Sequence, residues 1–249
     1  MLAVLYVSHG TRVAAGVRQA NDFLTQCMKR IAAPIQQICY LERVQPDIQK
    51  GIELCVRYGA DCVMVQPVLL LSAGHDKRDI PRIIKAARKA YPSVHFIYGH
   101  PFGVEEQIID VLMQRMDDMR VDQTPIESAV VVGRGSSDPD TPCAFSKIAS
   151  GLRERGVADI SVCYMAAMEP GLKEGLEQAA RQGHSRIYVV PYLLFPGILT
   201  KEIQRTIEES IHRDTFILCR TLGDHPLFIS LLKRRVQEAI DHDRLSAHS

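Results

Sequence analysis

The stretch YGADCVMVQPVLLLSAGHDKRDI, residues 58–80, occurs in a second form as QGHSRIYVVPYLLFPGILTKEI, residues 182–203. Both versions run from a glycine that follows a helix through an apolar strand to a proline, a Leu-Leu pair, a further glycine, a lysine and an acidic residue. A second match lies nearer the start, where LYVSHGTR (5–12) aligns with VVVGRGSS (130–137) at an offset of about 125 residues. The repeat predicts two copies of one βαβαβαβα unit.

Short apolar runs alternate along the chain with segments of helical periodicity, such as DIPRIIKAARKAY at 79–91. Continuous apolar strands joined by helical crossovers indicate a parallel sheet covered on both faces, which is the doubly wound α/β class. The runs predicted to be strands are Ala3–Val7, Ile35–Leu41, Cys62–Leu71, Val94–Tyr98, Ala129–Val132, Ile160–Met165, Ile187–Phe195 and Thr215–Cys219.

Two similar α/β domains are therefore expected, residues 1–122 and 123–249. The division falls near the polar stretch MRVDQTPI at 119–126, which contains a proline. By analogy with other duplicated folds, we expect the two halves to be related by a pseudo-two-fold axis. The second domain would then close a cleft over the first.

The composition excludes several classes of protein. Lys and Arg number 30 against 29 Asp and Glu, and a net charge of +1 argues against a nucleic-acid binder with a strongly basic face. No apolar run approaches the roughly 18–20 residues that span a bilayer, and the first residues lack the basic segment of a signal peptide. Seven cysteines without a C-x-x-C motif indicate free thiols in a reducing compartment. We predict a cytoplasmic protein that binds neither membrane nor nucleic acid and holds no prosthetic group.

Polar side chains follow the first three predicted strands: His9 the first, Glu42 the second and His75 the third. Parallel strands deliver the loops that follow them to one edge of the sheet, and neighbouring strands lie about 4.8 Å apart, so the three side chains should fall within roughly 10 Å. Two imidazoles and a carboxylate suit Fe²⁺, Co²⁺, Ni²⁺ or Zn²⁺. Three protein ligands leave coordination positions open for a substrate.

Each of these residues also fits an ordinary structural role, His9 and His75 as hydrogen-bonded loop residues and Glu42 as a solvated carboxylate. The second copy of the repeat favours the metal site. Arg134, Ala166 and Ile198 stand at or near the corresponding places, so the fold does not itself need the two histidines and the acid. We therefore predict a site in the first copy only.

Basic side chains accompany the three candidate ligands and favour an anionic substrate. In the first copy they are Arg12, Arg43, Lys77 and Arg78, and in the second Arg134, Lys201 and Arg205. The stretch GRGSSDPD at 133–140, which includes Ser136, is a glycine-rich turn with backbone donors suited to an anion. The same stretch equally fits a helix N-cap at Asp138, and it lacks the spacing of a nucleotide-binding loop. Arg78 equally fits a pairing with Asp79.

Five segments in order resemble one known family. They are LYVSHGTR (5–12), LERVQP (41–46), VQPVLLLSAGHDKRDIP (65–81), VVVGRGSSDPD (130–140) and VVPYLLFPGIL (189–199). Together they resemble the class II tetrapyrrole chelatases, in particular the long two-domain sirohydrochlorin ferrochelatases, which are neighbours of the sirohydrochlorin cobaltochelatases. The resemblance extends from Ala3 to about Ile240.

The resemblance implies an activity and a ligand set. The chain would insert Fe²⁺ into sirohydrochlorin and release two protons, with Co²⁺ or Ni²⁺ as further possible substrates. His9, His75 and Glu42 match the family's metal-binding and catalytic residues. The eight carboxylates of sirohydrochlorin would explain the basic side chains. The lack of a histidine-rich terminal extension favours iron over cobalt, and a chain with both halves is expected to be a monomer.

Alternatives remain open on the residues alone. The two histidines are able to hold the metal or to accept the pyrrole protons, and Glu42 to ligate, to accept a proton or to orient a histidine. A cobaltochelatase, a non-catalytic carrier of metal or tetrapyrrole, and an enzyme that uses His9 in acid–base chemistry without a metal would share these features.

Overall fold

The computed structural model describes residues 1–72, 74–122 and 124–246, and of His75 the backbone only. The first half contains β1 (Leu2–Ser8), α1 (Ala14–Met28), β2 (Ile35–Tyr40), α2 (Ile48–Arg57), β3 (Cys62–Val68), a π-helical turn (His75–Asp79), α3 (Ile80–Ala90), β4 (His95–Tyr98) and α4 (Glu106–Asp117). The second half contains β5 (Ser128–Gly133), α5 (Thr141–Glu154), β6 (Asp159–Tyr164), α6 (Leu172–Ala180), β7 (Ile187–Pro191), α7 (Ile198–Glu208), a 3₁₀ turn (Arg213–Thr215), β8 (Phe216–Leu218) and α8 (Leu227–Ser246).

The strands form two four-stranded parallel sheets, ordered β2-β1-β3-β4 and β6-β5-β7-β8. The predicted α/β class with two similar parallel sheets is confirmed. Two strands end well before their predicted ends, β3 at Val68 instead of Leu71 and β7 at Pro191 instead of Phe195, whereas the other strand ends lie within one residue of the prediction. In the first sheet, the carbonyl groups of Leu69 and Leu70 accept the N–H groups of Phe102 and Gly103 at 2.9 and 2.8 Å, so a loop takes the place of a neighbouring strand.

The first sheet is buried on both faces, which explains why its strands read as continuous apolar runs. Leu5 and Val65 belong to the core cluster that also contains Ile52 of α2 and Ile84 of α3. Side chains that alternate with these along the strands, such as Tyr6, are also fully buried. No described helix has both the length and the apolar character to span a bilayer.

The compact units of the molecule differ from the two predicted domains, 1–122 and 123–249. One unit comprises Met1–Gly103 together with the segment that begins at Pro226, and the other comprises Val104–His225. The reason is the packing of two helices, because α4 lies on α5 and β7 whereas α8 lies on α1, β3 and β4. The predicted boundary marks the sequence repeat, but the last helix of each half is packed on the sheet of the other half.

Strand register brings three loops of the first unit to one edge. Ser8 at the end of β1 pairs with Tyr40 of β2 on one side and with Val68 of β3 on the other. The three strands therefore end at the same level, and the segments that follow them begin at the same edge of the sheet.

Candidate functional site

His9 and Glu42 lie side by side at the carboxyl edge of the first sheet. The N–H of Leu41 donates to the carbonyl of Ser8 at 2.9 Å, and the N–H of Glu42 donates to the carbonyl of His9 at 3.2 Å, so the parallel pairing continues past the strand ends. Nδ1 of His9 lies 3.4 Å from Oε1 of Glu42. The side chains remain 32% and 37% exposed, but Nδ1 of His9 itself is buried, so the exposed part of the imidazole lies elsewhere on the ring.

A glycine makes this contact possible. Gly10 has φ +88°, and a Cβ at this position would overlap the carbonyl oxygen of Glu42. Arg43 on the opposite segment also has a positive φ, of 69°. The two segments therefore approach more closely than a side chain at position 10 would allow.

The second sheet builds the same edge without the same side chains. The N–H of Ala166 donates to the carbonyl of Arg134 at 3.1 Å, as Glu42 does to His9. Gly135 has φ +81°, and an added Cβ would overlap the carbonyl oxygen of Ala166. Arg134 and Ala166 thus occupy the backbone places of His9 and Glu42, as the sequence alignment predicted. The imidazole and the carboxylate are not required by this backbone.

The third predicted donor stands at the start of a π-helical turn. The backbone of His75 begins the turn His75–Asp79, in the segment that follows β3, and Ile198 likewise begins α7 after β7. The side chain of His75 lies outside the described residues, as does Ala73. Among the described side chains, no group of three His, Cys, Asp or Glu residues is arranged to hold a metal ion. The described edge therefore supplies two of the three predicted donors, His9 and Glu42.

Asp76, the next residue of the turn, is buried and is held by two hydroxyl groups. Tyr98 donates to Oδ1 at 2.5 Å, and Ser72 donates to Oδ2. Burial and the hydrogen bond to this carboxylate raise the pKa of Tyr98. Sequence reasoning missed these residues, because Asp76 reads as one charged residue among the five of HDKRD and nothing in that pattern marks it as buried.

The basic residues predicted around the site fall on both units. In the first unit, Nε of Arg43 lies 3.4 Å from Oε2 of Glu42, and Arg12, Lys77 and Arg78 are exposed in the segments after β1 and β3. The Arg78 guanidinium lies over the Cα of Gly74. In the second unit, Arg134 and Ser136 follow β5, and Lys201 and Arg205 lie on α7.

Ser136 takes part in a turn of its own. Its Oγ accepts the N–H of Asp138 at 3.1 Å, and Oδ1 of Asp138 accepts the N–H of Asp140 at 3.0 Å. The prediction that Asp138 caps a helix is wrong, because α5 begins at Thr141 and Asp140 is the residue before it. Asp138 closes a local turn before the helix starts.

Comparison with known proteins places the chain in a family. The CbiX family model matches residues 3–119 and 128–239, which are the two copies of the repeat. The chain belongs to the CbiX family. This match, together with the similarity to sirohydrochlorin chelatases described next, confirms the predicted resemblance.

Several known proteins match the chain over most of their own length. A sirohydrochlorin ferrochelatase of Priestia megaterium is 43% identical over 239 residues, covering 95% of this chain and 90% of the relative. A sirohydrochlorin cobaltochelatase of the same organism is 34% identical, covering 97% of this chain and 81% of the relative. The solved structure of SirB from Bacillus subtilis with Fe³⁺ matches with a TM-score of 0.84 and 37% identity, covering 96% of this CbiX chain and 95% of the other.

Proposed function

We propose that this protein is a sirohydrochlorin ferrochelatase, a lyase that inserts Fe²⁺ into sirohydrochlorin to form siroheme. The observation that carries the proposal is the contact of His9 with Glu42 at the carboxyl edge of the first sheet. This pair is confined to the first copy of the repeat. The match to a ferrochelatase over nearly the whole chain supports the same activity.

Metal insertion requires the site to deliver a metal ion and to remove two protons. Each M²⁺ replaces the two pyrrole N–H protons of the macrocycle, and both protons must leave. In the proposal, His9, Glu42 and His75 hold the metal as an incomplete set of ligands, which leaves positions open for pyrrole nitrogens. A neutral imidazole nitrogen or the Glu42 carboxylate is also able to accept a proton at neutral pH.

The partly exposed environment of His9 and Glu42 suits a metal that must be released. A site closed by four strong ligands would retain the ion, as structural zinc sites do. The carboxylate also lies near Arg43, whose Nε is 3.4 Å from its second oxygen. This positive charge competes with a metal ion for the carboxylate and so favours weak binding.

The anionic macrocycle accounts for the basic side chains in the proposal. Sirohydrochlorin carries eight carboxylates, and guanidinium groups bind carboxylates through two parallel hydrogen bonds. Arg12, Arg43, Lys77 and Arg78 lie in the segments that follow β1, β2 and β3, as His9, Glu42 and His75 do. We assign these four residues to binding of the tetrapyrrole, and the same role for Arg134 and Ser136 stays a prediction from the sequence.

A cobaltochelatase is the second candidate, and the similarity to the Priestia megaterium cobaltochelatase favours it. Sites of nitrogen and oxygen donors bind Co²⁺ more tightly than Fe²⁺, so the donor set alone does not select iron. The higher identity to the ferrochelatase supports Fe²⁺ as the substrate.

Metal insertion by the purified protein tests the proposal. Sirohydrochlorin and Fe²⁺ are mixed with the protein without oxygen, and the macrocycle spectrum is followed. We expect an accelerated reaction with many turnovers, and at least a tenfold lower kcat/KM for His9→Ala, because loss of a metal ligand or its supporting partner costs roughly 10–100-fold. Tetrapyrrole binding without acceleration would indicate a carrier and refute the enzyme. A higher kcat/KM with Co²⁺ than with Fe²⁺ would favour the cobaltochelatase.

We propose further that the protein acts as a monomer in the cytoplasm, with no prosthetic group. Its seven cysteines are all free, and five of them are buried, which fits a reducing compartment. Both copies of the repeat lie on one chain, so no second chain is needed to supply the other half. Light scattering of the pure protein tests the monomer, and a dimer mass would refute it.

A further inference from the structure

A buried carboxylate lies beside the exposed part of the proposed site. Asp76 is 7% exposed, although Lys77 and Arg78 immediately after it are exposed. Burying an ionised carboxylate is costly unless hydrogen bonds replace its water. The hydroxyl groups of Tyr98 and Ser72 supply such bonds, one to each carboxylate oxygen. The cost of burying the acid is therefore offset by a dedicated set of partners.

These three residues join separate pieces of backbone. Ser72 lies in the segment after β3, Asp76 in the π-helical turn and Tyr98 at the end of β4. The Tyr98 hydroxyl also lies 3.0 Å from the carbonyl oxygen of Asp76, so both the side chain and the backbone of Asp76 contact it. The Ser72–Asp76–Tyr98 network consequently fixes the turn against the edge strand of the sheet.

The turn that the network holds has an uncommon geometry. Its five residues, His75–Asp79, form a π-helix before the regular helix α3 begins at Ile80. π-Helical turns are rare, and they occur frequently at functional sites. The first residue of the turn is His75, and the network thus acts on the backbone that carries the third predicted metal donor.

The second copy shows that the fold does not need this network. β3 pairs with β4 so that Val65 lies opposite Tyr98, and β7 pairs with β8 so that Val189 lies opposite Leu218. Leu218 therefore occupies the place of Tyr98 and has no hydroxyl group. The first turn of α7 contains no acidic residue, and it starts as a regular α-helix after Gly197. Among the described residues, the network and the π-helical turn occur only in the copy that carries His9 and Glu42.

We infer that Ser72, Asp76 and Tyr98 are positioning residues that hold the His75 turn in place for metal capture, an inference that rests on the proposed function. Coordination bonds tolerate errors of about 0.2 Å, whereas ion pairs of Lys or Arg with carboxylates form up to about 4 Å. Loosening the turn therefore weakens metal binding more than binding of the tetrapyrrole through Lys77 and Arg78.

Tyr98→Phe tests the inference, with Tyr192→Phe as its matched control. Tyr192 is a buried tyrosine of the second unit whose hydroxyl has no hydrogen-bond partner among the described residues, so the control removes the same atom without breaking a bond. Binding of Co²⁺ to the full chain without tetrapyrrole is measured by calorimetry and by the visible absorption of the bound ion. We expect about a tenfold higher Kd for Tyr98→Phe, as for other supporting residues of metal sites, and less than a twofold change for Tyr192→Phe.

Two further readouts separate positioning from general stability. Amide hydrogen exchange over residues 76–80 should accelerate in Tyr98→Phe and not in Tyr192→Phe. The KM for the metal should rise more than the KM for sirohydrochlorin. Asp76→Asn, which keeps one oxygen acceptor, should bind Co²⁺ more tightly than Asp76→Ala. If Tyr98→Phe fails to fold, Ser72→Ala removes the other hydrogen bond and is measured in the same way.

The results that would overturn the positioning role differ from those that would refute the proposed chelatase activity. Wild-type affinity for Co²⁺ in both Tyr98→Phe and Asp76→Ala would overturn the positioning role, whatever their thermal stability. A wild-type chain that binds Co²⁺ but does not accelerate insertion would refute the chelatase, while the Co²⁺ comparison would still decide the role of the network. A wild-type chain that binds no Co²⁺ would overturn the network as a support for metal capture.

Discussion

At the scale of the single residue, the backbone conformation of Gly10 in the turn after β1 supports the contact between His9 and Glu42. Gly10 adopts φ +88° in the space against the carbonyl of Glu42, whose side chain faces His9. Any larger residue must push the two segments apart. The spacing of the His9–Glu42 pair thus depends on a residue that contributes no functional group.

Gly10→Ala should accordingly impair both stability and metal insertion. An L-residue at this φ is strained, and the overlap with Glu42 adds to the strain, so we expect a loss of about 2–4 kcal/mol in the free energy of unfolding. Separation of His9 from Glu42 should lower kcat/KM by at least tenfold. Urea unfolding and the insertion assay measure the two effects.

Gly59→Ala is the matched control for this prediction. Gly59 has φ +90°, but an added Cβ there meets nothing within 4 Å. This variant therefore carries only the backbone strain, which costs about 1–2 kcal/mol, and should keep wild-type insertion activity. Equal losses of stability in the two variants, or full activity in Gly10→Ala, would contradict the role assigned to the close approach.

The sequence predicted some contacts between the residues of this edge and missed others. His9 and Glu42 were predicted to meet, because the carboxyl ends of adjacent parallel strands share an edge. Asp76 and Tyr98 were not predicted, because their pairing depends on burial and on the position of an edge strand whose Tyr98 comes 19 residues after the end of the π-helical turn. The residues around Asp76 in the sequence indicate neither its burial nor the position of the edge strand.

At the scale of the secondary-structure element, the position of α4 is explained by a buried guanidinium group. The side chain of Arg115 is 4% exposed, and it contacts Asp224, which follows β8, and Asp118 at 3.5 Å. A buried charge must be paired, so this contact favours α4 lying where Asp224 can reach it. The helix thereby becomes part of the second unit although it precedes β5.

Arg115→Met should lower the stability of the protein more than Arg220→Met. Both arginines contact Asp118 and Asp224, but the side chain of Arg220 is 62% exposed. The carboxylates are about one-third exposed, which limits the cost of leaving them unpaired. We expect losses of about 1–3 kcal/mol for Arg115→Met and below about 1 kcal/mol for Arg220→Met.

Urea unfolding at low and high salt checks this difference. The effect of Arg220→Met should disappear in 1 M salt, because exposed ion pairs are screened there, and that of Arg115→Met should remain. A larger loss for Arg220→Met than for Arg115→Met would show that burial does not decide the strength of this contact.

The sequence predicted the strands but not which sheet each helix packs on. All eight strands of the described residues were predicted, because buried parallel strands leave continuous apolar runs between polar turns. The domain division at 122 and 123 was not found in the structure. An amphipathic helix has an apolar face, but its sequence does not specify which of two similar sheets that face covers.

At the scale of the whole molecule, the unit with the proposed metal site is made from both ends of the chain. α8 packs on β3, β4 and α1, and Phe228 meets Phe102 edge to face with ring centroids 5.1 Å apart. Arg235 of α8 donates to the carbonyls of Pro101 and Phe102 at 3.1 and 2.6 Å. The first unit is therefore incomplete without the last helix.

A single-chain fragment with its two segments in reversed order tests this dependence, because it keeps residues 1–103 and 226–246 of the first unit. Asp243 near the end of α8 lies 2.8 Å from His95, whose N–H donates to the carbonyl of Asp61, and Asp61 also contacts the amino group of Met1. Residue 246 and Met1 thus lie at the same edge of the first sheet, and about six Gly and Ser residues, which reach roughly 20 Å, are enough to join them.

We expect residues 226–246 joined in this way to residues 1–103 to unfold cooperatively in urea and to bind Co²⁺. The fragment 1–122, which follows the sequence repeat, should aggregate, because the sheet face that α8 covers is exposed to water. A soluble, cooperatively folded 1–122 would mean that α8 is dispensable, and the two halves of the sequence would then be the folding units after all.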